Sequence, residues 1–327
     1  MSDEWLILHG GALGDLALTI QLALRLPGVD KSGVLRVISR TDPGDLSACR
    51  PSIVQQSSEG LGLHWLFGDH DDPPPERLRD VLSGARVLSA LGGVHMVVHH
   101  RLAELGPVAV YSIDPRPRDG VQRHITDQWQ TQIEGQGLLV PKCIHQHPAQ
   151  RGLGVPAELR QHGHELMRAL ACASRSDPRG DAAVVIHPGS GGRRKCWPLR
   201  CFAQVAHLLR DDHAGAAVSF LVGPVELETW PASELTDLAR DFPVIRCPTP
   251  DELAAILAAA RVLVGNDAGP AHLAALLGTP TVTVFGPTSS DIWRPLGTGA
   301  QTAEGDPQAA NWGIRPEDVA SLVRKRL

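Results

Sequence analysis

Three short stretches of the chain combine glycines with side chains that can handle charge. The first, His9-Gly10-Gly11-Ala12-Leu13-Gly14-Asp15, places a carboxylate at the entry to an apolar run, Leu16 to Leu26. The second runs His187-Pro188-Gly189-Ser190-Gly191-Gly192-Arg193-Arg194-Lys195-Cys196-Trp197-Pro198. It offers what a phosphate needs: glycines that admit close backbone approach, the Ser190 hydroxyl and the fixed charge of Lys195. The third, Gly265-Asn266-Asp267-Ala268-Gly269-Pro270-Ala271-His272, feeds a helix. Pro270 suits its first turn, where a missing N–H costs nothing. Free backbone N–H groups and the positive end of the helix dipole converge there, which is where an anion would sit. Asp267 and His272 add a carboxylate and an imidazole to the same rim. Each stretch also has a plainer reading. PGSGG can be a flexible turn and RRK a solvated patch, Asp267 can cap its helix, and His272 can be a packing or capping histidine.

The elements that must position these residues alternate between strand and helix. Trp5–Leu8, Val34–Ser39, His64–Phe67, Arg86–Ala90 and Val108–Ile113 read as strands, and 76–82, 95–105 and 125–136 as helices. A helix is expected over 157–173, followed by the connector 174–180. The rhythm then restarts, with strands at 183–186, 218–222, 244–246, 262–264 and 281–285. Helices are expected at 199–210, 226–241, 250–260 and 270–277, then an irregular stretch over 300–313 and a last helix over 316–326. The three stretches thus fall at the carboxyl ends of strands, where α/β folds place ligands. The glycines at 10, 11 and 14 do not form GxGxxG, which disfavours a nicotinamide site.

The composition is that of a globular protein, 43% hydrophobic and 20% charged, and 327 residues allow two domains. A net charge of -5 argues against nucleic acid as a partner. The six cysteines form no CxxC pair, so neither a zinc site nor a disulfide framework is expected. The N-terminus opens acidic and has no signal-peptide pattern, and no apolar run is long enough for a bilayer. Asp69-His70-Asp71-Asp72, beside three prolines, reads as a solvated loop rather than a metal site.

GALGD at 11–15, HPGSG at 187–191 with KxWP at 195–198, VGPxE at 222–226 and NDAGPAHLAA at 266–275 leading to TPTVTVFGPT occur in order. Together they resemble glycosyltransferase family 9, the heptosyltransferase-like family of bacterial envelope synthesis. The likeness covers 181–295 well, the first 26 residues fairly and the middle of the first half poorly. His9 stands where an arginine is common in the family, and Gln21 where a proline is common.

The resemblance implies an α/β protein of GT-B fold, two Rossmann-like domains with parallel sheets facing across a cleft. Residues 1–155 would bind the acceptor, 156–180 connect, 181–315 hold a nucleotide-sugar donor, and 316–327 return as a helix to the first domain. It implies a catalytic base at Asp15, with Gly11 and Gly14 in the glycine loop near the acceptor. Ser190, Gly191 and Lys195 match the diphosphate loop, Glu226 a ribose contact, and Asp267, Ala268, Gly269 and His272 the donor loop. The implied enzyme is an inverting, metal-independent glycosyltransferase with no cofactor. It would move a sugar, heptose from an ADP-activated donor being one candidate, to a glycolipid or glycan in lipopolysaccharide biosynthesis. A monomer is expected, cytoplasmic or peripheral at the cytoplasmic face of the inner membrane. Two other classes stand beside it: a catalytically idle nucleotide-sugar-binding GT-B protein, and an oxidoreductase resting only on Rossmann-like rhythm.

Overall fold

The computed structural model describes residues 4–29, 33–68, 72–92, 96–141, 152–172, 183–211 and 216–327. The chain divides into two compact units, Met1–Ala149 and Gln150–Leu327. In the first, β1 (Trp5–His9), α1 (Leu13–Ala23), β2 (Leu35–Ser39), β3 (Ile53–Ser57), α2 (Glu76–Leu82), β4 (Arg86–Ser89), α3 (Met96–Glu104), β5 (Ala109–Ser112) and α4 (Ile125–Glu134) follow in order. The strands form one parallel sheet, β3-β2-β1-β4-β5. β1 is buried along its whole length, because helices cover both faces of such a sheet and a strand inside it is a near-continuous apolar run, here Trp5 to Leu8. Leu6, Leu8, Ile38, Leu66, Leu78, Leu82, Val87 and Leu102 share one core.

The second unit begins with α5 (Ala157–Cys172), β6 (Ala183–His187), α6 (Leu199–Arg210), β7 (Ala217–Val222), α7 (Pro224–Thr229), α8 (Ala232–Asp241) and β8 (Val244–Arg246). It continues through α9 (Pro250–Ala259), β9 (Val262–Asn266), α10 (Gly269–Leu277), β10 (Thr281–Phe285), α11 (Ser290–Trp293), β11 (Gln301–Glu304) and α12 (Pro316–Arg324). Its six parallel strands are ordered β11-β10-β9-β6-β7-β8. This is the Rossmann order, in which the chain reverses direction beside the first strand. The reversal opens a crevice at the carboxyl ends of β6 and β9 here, and of β1 and β4 in the first unit. Two Rossmann-like parallel-sheet domains make the chain a GT-B fold, as expected.

Several expectations change. Residues 63–66 form a 3-10 turn, not a strand. The helix expected over 226–241 is two, parted where Trp230 is extended ahead of Pro231, the N-cap of α8. The irregular stretch over 300–313 contains the edge strand β11.

The domain boundaries move too. Of the segment expected to connect the domains, α5 packs on α9 within the second unit. A Cβ built at Gly163 would stand 2.0 Å from the Ala255 carbonyl oxygen, so the two helices touch backbone to backbone. The C-terminal helix, expected to return to the first domain, instead buries Val319, Ala320 and Val323 in the second unit's core with Trp197, Phe202, Val205 and Val282. Amphipathic spacing predicts a buried face but cannot say which core receives it.

Of the acidic string at 69–72, only Asp72 lies within the described residues; its carbonyl accepts the Trp65 indole N–H at 2.9 Å. The connector 174–180 lies outside them. Among the described residues no helix is long and apolar enough to cross a membrane.

Candidate active site

β6 and β9 lie side by side, with His187 opposite Gly265, so the loops leaving their carboxyl ends must share one space. Asn266, the fully buried last residue of β9, joins them. Its Nδ2 donates to the carbonyls of Pro188 at 2.7 Å and Gly189 at 3.3 Å. Its Oδ1 accepts the Trp197 backbone N–H at 2.9 Å. The Ser190 hydroxyl, expected to meet phosphate, donates to the Asp267 carbonyl at 2.8 Å and thereby ties the same two loops.

Asp267 is the hub. Its Oδ2 lies 3.7 Å from Lys195 Nζ and its Oδ1 3.4 Å from His272 Nε2, and the Thr288 side chain hydrogen-bonds the same carboxyl. Burial alone would raise its pKa. The hydrogen bond and charge of His272, then Lys195 and Thr288, outweigh that and hold the carboxyl below its ordinary value. Lys195 is half exposed and carries three donors, so one contact with Asp267 leaves it able to meet an anion. His272 is buried, and its Nδ1 has no partner among the described residues, leaving Asp267 as its polar anchor.

α10 starts beside this hub. Its N-cap, Ala268, is extended and has no side chain able to cap. Pro270 has no N–H and the Ala271 N–H donates to the Ala268 carbonyl at 3.0 Å, so the Gly269 N–H is the first-turn donor left for an outside acceptor. Gly191 is exposed, with open space where a Cβ would stand. Its backbone is accessible from outside.

Glu226 reaches the same loop from α7. Its Oε2 accepts the Gly223 N–H at 2.8 Å and lies 3.9 Å from His187 Nε2. A Cβ at Gly189 would fall 1.9 Å from Glu226 Oε1, so residue 189 is glycine to let the carboxylate lie against the backbone. Burial pushes the His187 imidazole pKa down, partly opposed by the Glu226 charge. Ser190, Gly191, Lys195, Glu226, Asp267, Ala268, Gly269 and His272 therefore all belong to one crevice of the second unit.

The other predicted residues form a separate cluster at the end of β1. Asp15 sits half-buried in the first turn of α1 with Gly14. The α1 N-cap is again an alanine, Ala12, with no capping side chain. The buried His9 accepts the Gly11 N–H on Nδ1 at 3.2 Å. A Cβ at Gly11 would lie 3.0 Å from His9 Cε1 and 3.4 Å from Asp15 Oδ2, so Gly11 separates imidazole from carboxylate by one backbone thickness. Burial lowers the His9 pKa from 6.5 to about 4, which keeps the ring neutral near neutral pH.

The sequence model of Glycosyltransferase family 9 (heptosyltransferase) matches residues 121–311, more than half of the chain. The chain belongs to this family. A curated relative, lipopolysaccharide heptosyltransferase 3 of Escherichia coli, is 33% identical over 120 residues, 36% of this chain and 34% of the relative. The same enzyme of strain K12 is 31% identical over 121 residues, covering 35% and 34%. The chain thus spans about a third of the length of the curated relatives it matches. Among solved structures, E. coli heptosyltransferase WaaC with ADP superposes with a TM-score of 0.65 at 16% identity, covering 99% of this chain and 100% of that one. A family 9 glycosyltransferase from Veillonella parvula gives 0.65 at 16%, covering 99% and 97%. E. coli ADP-heptose lps heptosyltransferase II gives 0.59 at 18%, covering 98% of each. At these identities the superpositions speak for the fold. Family 9 membership gives the two crevices a common context.

The sequence reading passed over Asn266, Thr288, His9 and His187 as working residues. A polar residue closing an otherwise apolar strand, as in Val262–Asn266, is the signal that could have found the first.

Proposed function

We propose that this chain is an inverting, metal-independent glycosyltransferase that moves a sugar from a nucleoside diphosphate to a hydroxyl of an envelope glycolipid or glycan. The observation that carries this reading is the second crevice. A half-exposed lysine, an uncapped helix start and a buried, ionised Asp267 stand together at the switch point of a Rossmann sheet, in a chain of a heptosyltransferase family. ADP is the leading nucleotide, since the WaaC structures are described with ADP and with ADP-2-deoxy-2-fluoro heptose.

In this reading the acceptor oxygen attacks the anomeric carbon and forms the new glycosidic bond. The bond from that carbon to the diphosphate breaks, its electron pair staying on the β-phosphate oxygen, and the acceptor proton passes to Asp15. A single displacement inverts the anomeric centre. The departing oxygen gains charge, so Lys195 and the α10 start stabilise the transition state more than the ground state. These fixed charges supply the compensation that a divalent cation would otherwise give. Glu226 would meet the ribose and Asp267 the donor sugar.

A thermal-shift panel of ADP-, UDP-, GDP- and CDP-sugars, followed by transfer assays with and without chelator, tests the reading. Stabilisation by a nucleoside diphosphate sugar is expected. Asp15→Asn should lower turnover ~10²–10⁴-fold while leaving nucleotide binding in place. Transfer by Asp15→Asn at the wild-type rate removes Asp15 as the base. Stabilisation without turnover on any acceptor points to a binding protein instead.

A further inference from the structure

Close to the donor crevice the backbone does something L-residues avoid. Asn311 (φ 50°, ψ 28°), Trp312 (φ 60°, ψ 17°) and Gly313 (φ 69°) are three consecutive residues in the left-handed region. Glycine adopts it freely and asparagine tolerates it, whereas Trp312 is the residue for which it is strained. Such a turn persists when its surroundings over-determine it, and here the surroundings are the two arms of the donor cluster.

The first arm is Trp197. Its indole Nε1 donates to the Asn311 carbonyl at 2.9 Å, while its backbone N–H is held by Asn266. Lys195 lies two residues upstream. Arg200, in the first turn of α6, donates to Asn311 Oδ1 at 2.6 Å. The second arm is the loop after β10. The Trp312 ring occupies the space a side chain at Gly286 would need, since a Cβ there would stand 2.2 Å from indole Cδ2. Two residues beyond Gly286 is Thr288, which hydrogen-bonds Asp267. A right-handed or extended residue 311 would turn its carbonyl away from the Trp197 indole and carry Trp312 off Gly286. Residues 312 and 313 also lie past the end of the family match.

We infer that the left-handed turn Asn311–Trp312–Gly313 is a positioning element for the donor site. Asn311 fixes Trp197 and so the loop that presents Lys195; Trp312 fixes Gly286 and so the loop that presents Thr288 to Asp267. Neither residue touches substrate. The ligand in this statement rests on the donor reading above; the mechanical coupling does not.

The test compares three variants of the full chain. Asn311→Gly and Asn311→Val both lose the Arg200 contact, but only glycine accepts the left-handed backbone, valine being the worst fit. Trp197→Phe removes the indole N–H and keeps an aromatic ring. Without ligand, amide hydrogen exchange should speed up about 10-fold over 189–196 and 286–289 in Asn311→Val, with β7 and β8 unchanged. Trp197→Phe should loosen 189–196 alone, and Asn311→Gly should stay within about 2-fold of wild type. By calorimetry, ADP should bind about 5- to 10-fold more weakly to Asn311→Val and Trp197→Phe, the worth of one buried hydrogen bond, while AMP, lacking the second phosphate, binds unchanged. Exchange that rises uniformly across the sheet, or equal effects of glycine and valine at 311, overturns the positioning role. Wild-type protein that binds no nucleoside diphosphate overturns the donor reading, and the exchange data still decide the turn.

Discussion

His9 couples the glycine turn in front of Asp15 to pH. Its imidazole is buried and accepts the Gly11 N–H, so the neutral ring is the form the fold needs. A protonated ring carries an N–H where that lone pair was, and the Gly11 amide loses its acceptor. Burial lowers the pKa from 6.5 to about 4. The folded protein therefore resists protonation that the unfolded chain accepts. The sign follows: the stabilisation is complete above about pH 6.5, where neither state takes the proton, and is lost as pH falls toward 4. At about 1.36 kcal/mol per pKa unit, the full effect is about 3 kcal/mol. About 2.5 kcal/mol of it is lost between about pH 7.5 and about pH 4.5.

His9→Asn keeps an acceptor for Gly11 and cannot titrate. Urea unfolding of both proteins at the two pH values isolates the term, because carboxylates titrating over the same range contribute equally to both. The wild type should lose about 2.5 kcal/mol more than the variant. Parallel losses would mean that His9 titrates normally, and that the turn does not depend on a neutral ring.

Other outcomes follow from single contacts. Asn266→Ala removes three hydrogen bonds and leaves the buried Trp197 N–H without its acceptor; destabilisation by about 3 kcal/mol is expected in denaturant titration. Gly189→Ala drives a Cβ into the Glu226 carboxylate and should weaken ADP binding more than about 10-fold by calorimetry, one charge-assisted contact being worth about 1.5–3 kcal/mol. Lys195→Met should weaken ADP far more than AMP, and equal weakening would place the ammonium away from the terminal phosphate. Gly163→Ala forces α5 off α9 and should cost about 1–3 kcal/mol of stability.

How much of this was legible depended on burial. β1, β6, β9 and β10 read directly from the sequence, because a strand covered on both faces is a nearly continuous apolar and β-branched run. β3 did not: of Ile53–Ser57 only Ile53 is buried, and an edge strand leaves no apolar run to find. β11, Gln301–Glu304 at an edge of the second sheet, failed for the same reason. The short apolar run around Trp65 was misread as a strand because four residues cannot separate a period of two from a period of three. In the site, the residues that face a ligand announced themselves by glycine-rich context. Those that face other protein were harder to see: Asn266 shows only as the polar end of an apolar strand, and Thr288, whose partner is the Asp267 carboxyl 21 residues earlier, has no local signature.

One regularity joins the two crevices and shows what the hidden residues do. Each sheet's first strand in sequence ends in a buried histidine, His9 on β1 and His187 on β6, and burial lowers the pKa of both. Each histidine stands against glycine, His9 beside Gly11 and the His187 carbonyl 2.7 Å from where a Cβ of Gly265 would be. Each has a carboxylate close by, Asp15 across Gly11 and Glu226 at 3.9 Å. A charged lysine or arginine at these strand ends would neutralise the neighbouring acid and, if buried, would itself demand a partner. A neutral imidazole fills the volume and accepts or approaches a backbone group without bringing a second charge to the carboxylate. At β1 the neighbouring carboxylate is Asp15, the base proposed above. At β6 it leaves the positive charge of the crevice to the loop cations, with Lys195 held against Asp267 beside the start of α10. If Asp15 is the base and the second unit the donor site, as proposed, placing lysine or arginine at position 9 should alter the pH profile of transfer more than it alters ADP binding, and matched changes in both would refute that division of labour.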